Sequence, residues 1–328
     1  MIERRAFLRA LAGGLLAAPG PARAQPAARI WRIGFLSPAA SSDTRMQSLL
    51  DAFRQGLAEL GYVEGRSFLM EPRWAEEHYE RLPQLATELV TLKVDLILAV
   101  AVPAIRAAKA ATQTIPIVMA AVVDPVATGL VSSFSHPGGN VTGLSTMAPE
   151  VTAKQVEILK EIVPKASVIA LLWNPDNPGN LPQLRAADLS SRSLGIRLLA
   201  LETRGPEAFD RAFAAMGRGR ADALIVLADV MLNKHRARLA ELAAAHRLPA
   251  AYGQDVSPVG LLTYSVNTRD LFRRSAGYVD RILKGAKPGD LPIEQAARFE
   301  LAINLKAARA LGLTIPQSLL LRADHVIE

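Results

Sequence analysis

The chain has 328 residues, half of them hydrophobic, 21% charged and only 5% aromatic, with a formal net charge of +7 and no cysteine. At roughly 150 residues per domain this length suggests about two domains, with ample apolar material for their cores. The lack of cysteine excludes disulfides, cysteine-ligated zinc, iron–sulfur clusters, thiol nucleophiles and a lipid-modified N-terminal cysteine. The basic residues are interspersed with acids and form no long run, so nucleic acid is not the expected partner.

The first 24 residues read as an export signal. A charged head with Arg4 and Arg5 precedes a weakly apolar stretch, Ala10 to Ala18. Ala22-Arg23-Ala24 then offers a small-x-small cleavage site before Gln25. Gly13-Gly14 and Pro19-Gly20-Pro21 argue against an ordinary amphipathic helix there. Arg4-Arg5-Ala6-Phe7-Leu8 is similar to a twin-arginine motif, and Arg23 beside the cleavage site suits that route better than the general secretory one. No later segment reaches the ~18 apolar residues that span a bilayer. The expectation is a soluble mature protein in the periplasm.

From Ile30 onward, strand-like and helix-like segments alternate. Ile30 to Leu36 reads as a buried strand, followed by a helix face of Met46, Leu49, Leu50, Phe53, Leu57 and Leu60 stopped by Gly61. Ser67 to Trp74 is the next strand and Leu82 to Val90 the next helix. Val94 to Val102 is an apolar run broken only by Asp95, as in a parallel strand covered on both faces, and Pro103 opens the helix behind it. Ile115 to Val123 and Val141 to Ser145 are further strands, joined through Pro137-Gly138-Gly139-Asn140.

The pattern then restarts. Val151 to Val163 is helical. Ser167 to Asn174 is a strand that ends in the turn cluster Asn174-Pro175-Asp176-Asn177-Pro178. A helix to Gly195, a strand over 196–201, a helix over Phe209 to Met216 and a strand over Ala221 to Ala228 follow. Asn233 is the expected N-cap of a helix to His246. Leu248 to Tyr252 and Gly260 to Val266 are strands. Thr268 caps a helix ended by Gly285, Pro288 to Pro292 links, and Arg298 to Asn304 is the last expected strand. Two such βα series imply an α/β protein of two doubly wound parallel-sheet lobes, divided between Ser145 and Glu150. Ligands in such sheets bind beyond the carboxyl ends of the strands, so the cleft between the lobes is the natural site.

Three stretches carry a family resemblance. They are Asp124-Pro125-Val126-Ala127-Thr128-Gly129-Leu130-Val131 with Pro137 to Gly143, the cluster Asn174 to Pro178, and the tail from Phe299-Glu300-Leu301-Ala302-Ile303-Asn304 to Pro316-Gln317-Ser318-Leu319-Leu320. The chain resembles the substrate-binding proteins of bacterial ABC transporters, in the group with tryptophan- and tyrosine-binding members and the type I periplasmic binding-protein fold. The resemblance implies a hinged pair of lobes that the chain crosses between three times. It also implies capture of a small-molecule solute, an amino acid or another small carboxylate, and delivery to an inner-membrane ABC permease. The expected division is a signal peptide at 1–24, an N-terminal lobe at 25–147 with 262–285 returning to it, and a C-terminal lobe at 148–261 with 286–328. A monomer without cofactor is expected.

Candidate ligand contacts follow from strand ends. Ser37 follows the first strand and offers a hydroxyl, or is an ordinary turn serine. Ala101 and Val102 follow the third strand, where related proteins usually carry glycine and a hydroxyl residue. That weakens side-chain recognition of a carboxylate and leaves only backbone N–H groups for it. Asp124 can meet an ammonium, or cap the helix behind Pro125. Asn174 and Asp176 sit at the first strand end of the second lobe, where turn chemistry explains them equally well. Asp229 stands where the resemblance places an ammonium-binding carboxylate; the alternative is a helix cap. Tyr252 and Tyr264 end strands and can stack on a ligand or sit half-buried. Trp74 reads better as core. No metal spacing links the five histidines, and neither G-x-x-x-x-G-K-[ST], G-x-G-x-x-G nor G-x-S-x-G occurs. A sensor module and an exported enzyme on the same fold are the weaker alternatives; a repressor would need an N-terminal helix-turn-helix where the export signal stands.

Overall fold

The computed structural model describes residues 29–253 and 260–328, so the expected leader at 1–24 lies outside the described residues. The first series runs β1 (Trp31–Ser37), α1 (Thr44–Glu59), β2 (Phe68–Trp74), α2 (Leu82–Thr91), β3 (Leu96–Ala99), α3 (Ala101–Ala111), β4 (Ile117–Val122) and β5 (Val141–Ser145). The second runs α4 (Ala148–Ile162), β6 (Val168–Trp173), α5 (Asn180–Ser193), β7 (Arg197–Glu202), α6 (Phe209–Arg218), β8 (Ala223–Val226), α7 (Val230–Lys234), α8 (Arg236–Ala245), β9 (Ala250–Tyr252) and β10 (Leu262–Val266). The chain finishes with α9 (Thr268–Leu283), β11 (Glu294–Gln295), β12 (Phe299–Asn304), α10 (Leu305–Leu311), α11 (Gln317–Leu320) and β13 (His325–Ile327).

The strands make two sheets, in the orders β11-β5-β4-β3-β1-β2 and β13-β12-β10-β9-β8-β6-β7. Read from β2 and from β7, both begin with the same 2-1-3-4-5 winding, although the halves share no residue-level repeat. The first sheet is parallel throughout. The second is parallel except where β12 runs against β10. Successive strand residues point to opposite faces. Phe35, Leu96 and Leu98 therefore join Phe53, Phe272 and Tyr278 under α1 and α9, while Leu36, Ile97 and Ala99 pack under α2 and α3. In the second lobe, Ile169, Leu171 and Ile225 pack with Val156 and Leu159 of α4 and with Leu319 of the tail. Leu172, Leu224 and Val226 face Phe209 and Phe213 of α6 on the other side.

Helix α9 returns to the first lobe and lies on α1. A Cβ on Gly56 would stand 2.2 Å from the Arg273 carbonyl oxygen, so only glycine permits this approach. Two crossing points differ from expectation. Leu262–Val266, expected with the first lobe, pairs with β9 and β12 in the second sheet, so the chain crosses at 266–268. Glu294–Gln295, expected in the second lobe, pairs with β5 in the first sheet, and Ala296 N donates to Ser145 O at 2.9 Å, so the last crossing falls at 296–299. The apolar run at 94–102 supplies a strand only to Ala99; Ala101 begins α3, with φ at 66°. Asn267, not Thr268, caps α9, accepting from Asp270 N. Asn233 lies inside α7 rather than capping the helix to His246. The tail adds β13 beyond the last expected strand.

Candidate functional site

Between the lobes lies a cavity of about 40 Å³. It sits where the winding of each sheet reverses, at the C-terminal ends of β1 and β3 in the first lobe and of β6 and β8 in the second. The first lobe supplies Arg45, Met46 and Leu49 of α1, Val100 to Val102, Ala121, Val123, Thr146, and Thr268 and Phe272 of α9. The second supplies Asn177, Ala228, Asp229 and Val230. The first-lobe wall is mostly apolar, with Arg45, Thr146 and Thr268 as its polar members, and the other carries the buried carboxylate. The space holds about three waters, so a larger solute enters only when the lobes part.

Asp229 is the centre of the polar wall. It ends the apolar strand β8 and is 2% exposed. Its Oδ1 accepts from Met231 N at 2.9 Å and Leu232 N at 3.2 Å, which caps α7. Asn177 Nδ2 donates to Oδ2 at 2.9 Å, and Asn174 Nδ2 reaches Oδ1 at 3.4 Å. Burial pushes this carboxyl above the usual carboxylate range, against the hydrogen bonds from Asn177, Leu232, Asn174 and Met231.

The turn cluster after β6 is the frame that aims those amides. Asn180 Oδ1 accepts from Asn174 N at 2.9 Å, and Asn174 Oδ1 accepts from Asp176 N at 3.0 Å. Asn180 Nδ2 and Gln183 Nε2 both donate to Ala228 O, at 3.2 and 3.4 Å, tying the start of α5 to the end of β8. Turn chemistry and site chemistry are the same hydrogen bonds here. Gly179 closes the frame against the first lobe: a Cβ there would stand 2.9 Å from Val102 Cγ2.

The apolar wall is set by backbone. Asp43 caps α1, accepting from Arg45 N and Met46 N at 2.9 and 3.1 Å, and so orients the first turn that carries both residues to the cavity. Ala101 holds a left-handed backbone, φ 66°, to turn β3 sharply into α3. That geometry suits glycine and is strained in alanine.

Of the residues expected from sequence, Ala101, Val102 and Asp229 line the cavity, and Asn174 stands just behind it, holding Asp229. The others are placed elsewhere. Ser37 is buried in its own turn, where its Oγ accepts from Ala39 N at 3.2 Å. Asp124 Oδ1 accepts from Ala127 N at 2.9 Å and shapes the loop after β4. Tyr252 is buried in the core of the second lobe. The Tyr264 ring stacks on Phe299, centroids 5.9 Å apart. Sequence reasoning missed Asn177, hidden in a cluster where Asn174 and Asp176 drew attention; Asp176 instead pairs with Arg204 near the surface. It also missed Met46, Leu49 and Phe272, whose helical spacing reads equally well as core. Among the described residues, no group of three or more His, Asp or Glu side chains is placed to hold a metal ion.

The model of a family described as ABC transporter substrate binding protein matches residues 40–327. The chain belongs to this family. Substrate-binding proteins of ABC transporters take up a small solute and deliver it to a permease, and they are normally extracytoplasmic. A curated relative, a tyrosine-binding protein of Clostridioides difficile, is 26% identical over 80% of this chain and 75% of its own. An ABC domain from Streptococcus pneumoniae, solved in complex with L-Trp, is 26% identical, with a TM-score of 0.84 over 91% of this chain and 100% of that one. A conserved domain protein from Vibrio cholerae is 29% identical, with a TM-score of 0.83 over the same shares. The architecture of this substrate-binding protein is the type I periplasmic binding-protein fold. No helix among the described residues is long and apolar enough to cross a membrane.

Proposed function

We propose that this substrate-binding protein captures an amino acid with an apolar or aromatic side chain in the cavity between its lobes. The observation that carries the reading is one buried carboxylate, Asp229, set across a cavity from a mostly apolar wall of Met46, Leu49, Val100 to Val102, Ala121, Val123 and Phe272. Its Oδ2 has one close donor, Asn177 at 2.9 Å, and one long one, the Tyr79 hydroxyl at 3.5 Å, so the carboxylate charge is not neutralised and can meet a solute ammonium. Met46, Leu49, Val102 and Phe272 offer the surface for an apolar side chain. The tyrosine-binding protein of Clostridioides difficile and the Streptococcus pneumoniae domain solved with L-Trp support that class. The first-lobe end of α3, with Ala101 and Val102, offers a solute carboxylate backbone N–H groups but no hydroxyl.

The same reading makes the protein a binder rather than an enzyme, working as a monomer with an inner-membrane permease. It enters the periplasm through the leader at 1–24, on the twin-arginine route. A thermal-shift screen of the twenty amino acids and of common monosaccharides tests the solute class. Ligand at 100 times its Kd stabilises by about 2.7 kcal/mol, so an apolar or aromatic amino acid should raise Tm by several degrees. A rise only with sugars, or only with acidic amino acids, overturns the solute class. Replacing Arg4 and Arg5 together by lysine should hold precursor in the cytoplasm; mature protein outside a strain without the twin-arginine pathway contradicts the route.

A further inference from the structure

The link between β2 and α2 contains two consecutive non-glycine residues with left-handed backbone, Glu76 at φ 54° and Glu77 at φ 67°. Such a pair persists only where its surroundings over-determine it. Here the loop between β1 and α1 does so. Ala75 N donates to Ser37 O at 2.9 Å, Glu76 N to Ala39 O at 3.2 Å, and Glu77 N to Pro38 O at 2.8 Å. Ser41 N donates to Glu76 Oε1 at 3.0 Å, and this bond holds the Glu76 carboxyl below its usual range.

The turn so held points at the other lobe. The Glu77 carboxylate pairs with Lys234 at the end of α7 and stands 3.6 Å from His235 Nε2. The Tyr79 hydroxyl lies 3.5 Å from Asp229 Oδ2 and accepts from Asn174 Nδ2 at 3.5 Å. Burial, then the Asp229 charge, holds the Tyr79 phenol well above its ordinary range, so at neutral pH it remains a donor. Both anchors sit on one five-residue helix: Asp229 caps the start of α7, and Lys234 ends it.

We propose that Glu77 and Tyr79 form a closure latch, strapping the first lobe to both ends of α7 when the cleft shuts. This rests on the reading that the solute binds between the lobes and deepens it. Tyr79 acts through Asp229 and Asn174 and is a positioning residue. Because Asp229 both faces the cavity and caps the helix whose far end carries Lys234, solute contact and latch contact bear on one rigid element. The latch exists only in the closed state, so it slows release of solute and leaves encounter unchanged.

The test uses the absence of native cysteine. Leu60→Cys and Leu189→Cys, at positions 44% and 69% exposed in the first and second lobes, take a donor–acceptor dye pair. Glu77→Gln with Tyr79→Phe should lower the closed fraction without solute and raise the dissociation rate of L-tryptophan about tenfold. The association rate should stay within about twofold. The control is Glu88→Gln, which removes the 2.9 Å pair with Arg73 inside the first lobe and should move none of these. Unchanged closed fraction and dissociation rate in the double variant overturn the latch, as does an equal shift in the control. A lowered closed fraction in a protein whose wild type responds to none of the apolar and aromatic amino acids supports the latch and overturns the solute class instead.

Discussion

The two walls of the cleft are built from the same winding but by opposite means. The first-lobe wall is mostly aliphatic side chains and Phe272, with Arg45, Thr146 and Thr268 among them, shaped by backbone turns at Asp43 and Ala101. The second-lobe wall is a hydrogen-bonded frame, in which Asn174, Asn177, Asn180 and Gln183 fix one carboxylate. An apolar wall discriminates by shape and tolerates small changes of volume. A buried polar frame is all-or-none, because each lost partner leaves another group unpaired. Specificity for the solute's side chain belongs to the first lobe, and orientation of its charged end to the second.

The largest effect should come from breaking the polar wall. Asp229→Ala removes the cap of α7, worth about 1 kcal/mol, and strands the Asn177 amide at a cost of about 1–3 kcal/mol. Binding of an amino acid should weaken about a hundredfold or more, since the unpaired ammonium then stays buried. Asp229→Asn sharpens the comparison. Asparagine caps as well as aspartate and escapes the burial penalty on the charge, but it turns an amide NH2 toward the Asn177 donor, so it should lose less stability than Asp229→Ala while calorimetry shows the same loss of binding. A variant that loses stability but binds normally makes Asp229 a helix cap alone.

A smaller effect is expected where the walls touch. Gly179→Ala puts a methyl group 2.9 Å from Val102 Cγ2 and should weaken binding about tenfold, roughly 1.4 kcal/mol. Val102→Ala should restore most of it, and a double-mutant cycle measures the coupling. Additive losses would mean that the two residues do not meet in the bound state. On the apolar wall alone, Ala101→Gly relieves the left-handed backbone and should stabilise by about 1 kcal/mol, read as a raised Tm.

The smallest effect is confined to alkaline pH and separates the lobes. Burial and Asp280 push the Tyr62 phenol up to about 12, and burial does the same for Tyr278. A raised folded value favours the protonated form, so this stability is fully present below the unfolded value of about 10 and is lost as pH rises towards 12. Tyr62 donates to Asp280 at 3.0 Å and Tyr278 to Pro292 O at 2.6 Å, both within the first lobe. Burial raises Tyr252 in the second lobe as well, so hydrogen exchange at pH 11 should show both lobes loosening, and Tyr62→Phe should reduce the loosening of the first alone.

The lobes were legible because buried parallel strands are written as apolar runs, and nearly every expected strand has its counterpart within two residues or so. The overrun at 94–102 has a physical cause. Val100 to Val102 are apolar because they line the cavity and start a helix, and a run of hydrophobics does not say where the backbone turns. The crossings at 266–268 and 296–299 depend on pairings between distant segments, β10 with β12 and β11 with β5, that no local pattern carries. Asp229 was legible from its place after an apolar strand. Its neighbours were not, since Asn177 differs from Asp176 only in the direction its turn points it. Ser37 and Tyr252 failed for the same reason, because each ends a strand but turns its side chain away from the cleft.

The most direct test is calorimetric titration of L-tryptophan and L-tyrosine into the wild type and into Ala121→Phe. Ala121 is half-buried on the cavity wall, on the first-lobe side, and makes no polar contact in the frame around Asp229. A phenyl ring there should occupy the solute's space. We expect one-to-one binding to the wild type, a loss of at least a hundredfold in the variant, and an unchanged circular dichroism spectrum. Equal affinity in the two proteins would place the solute outside this cavity and contradict the account.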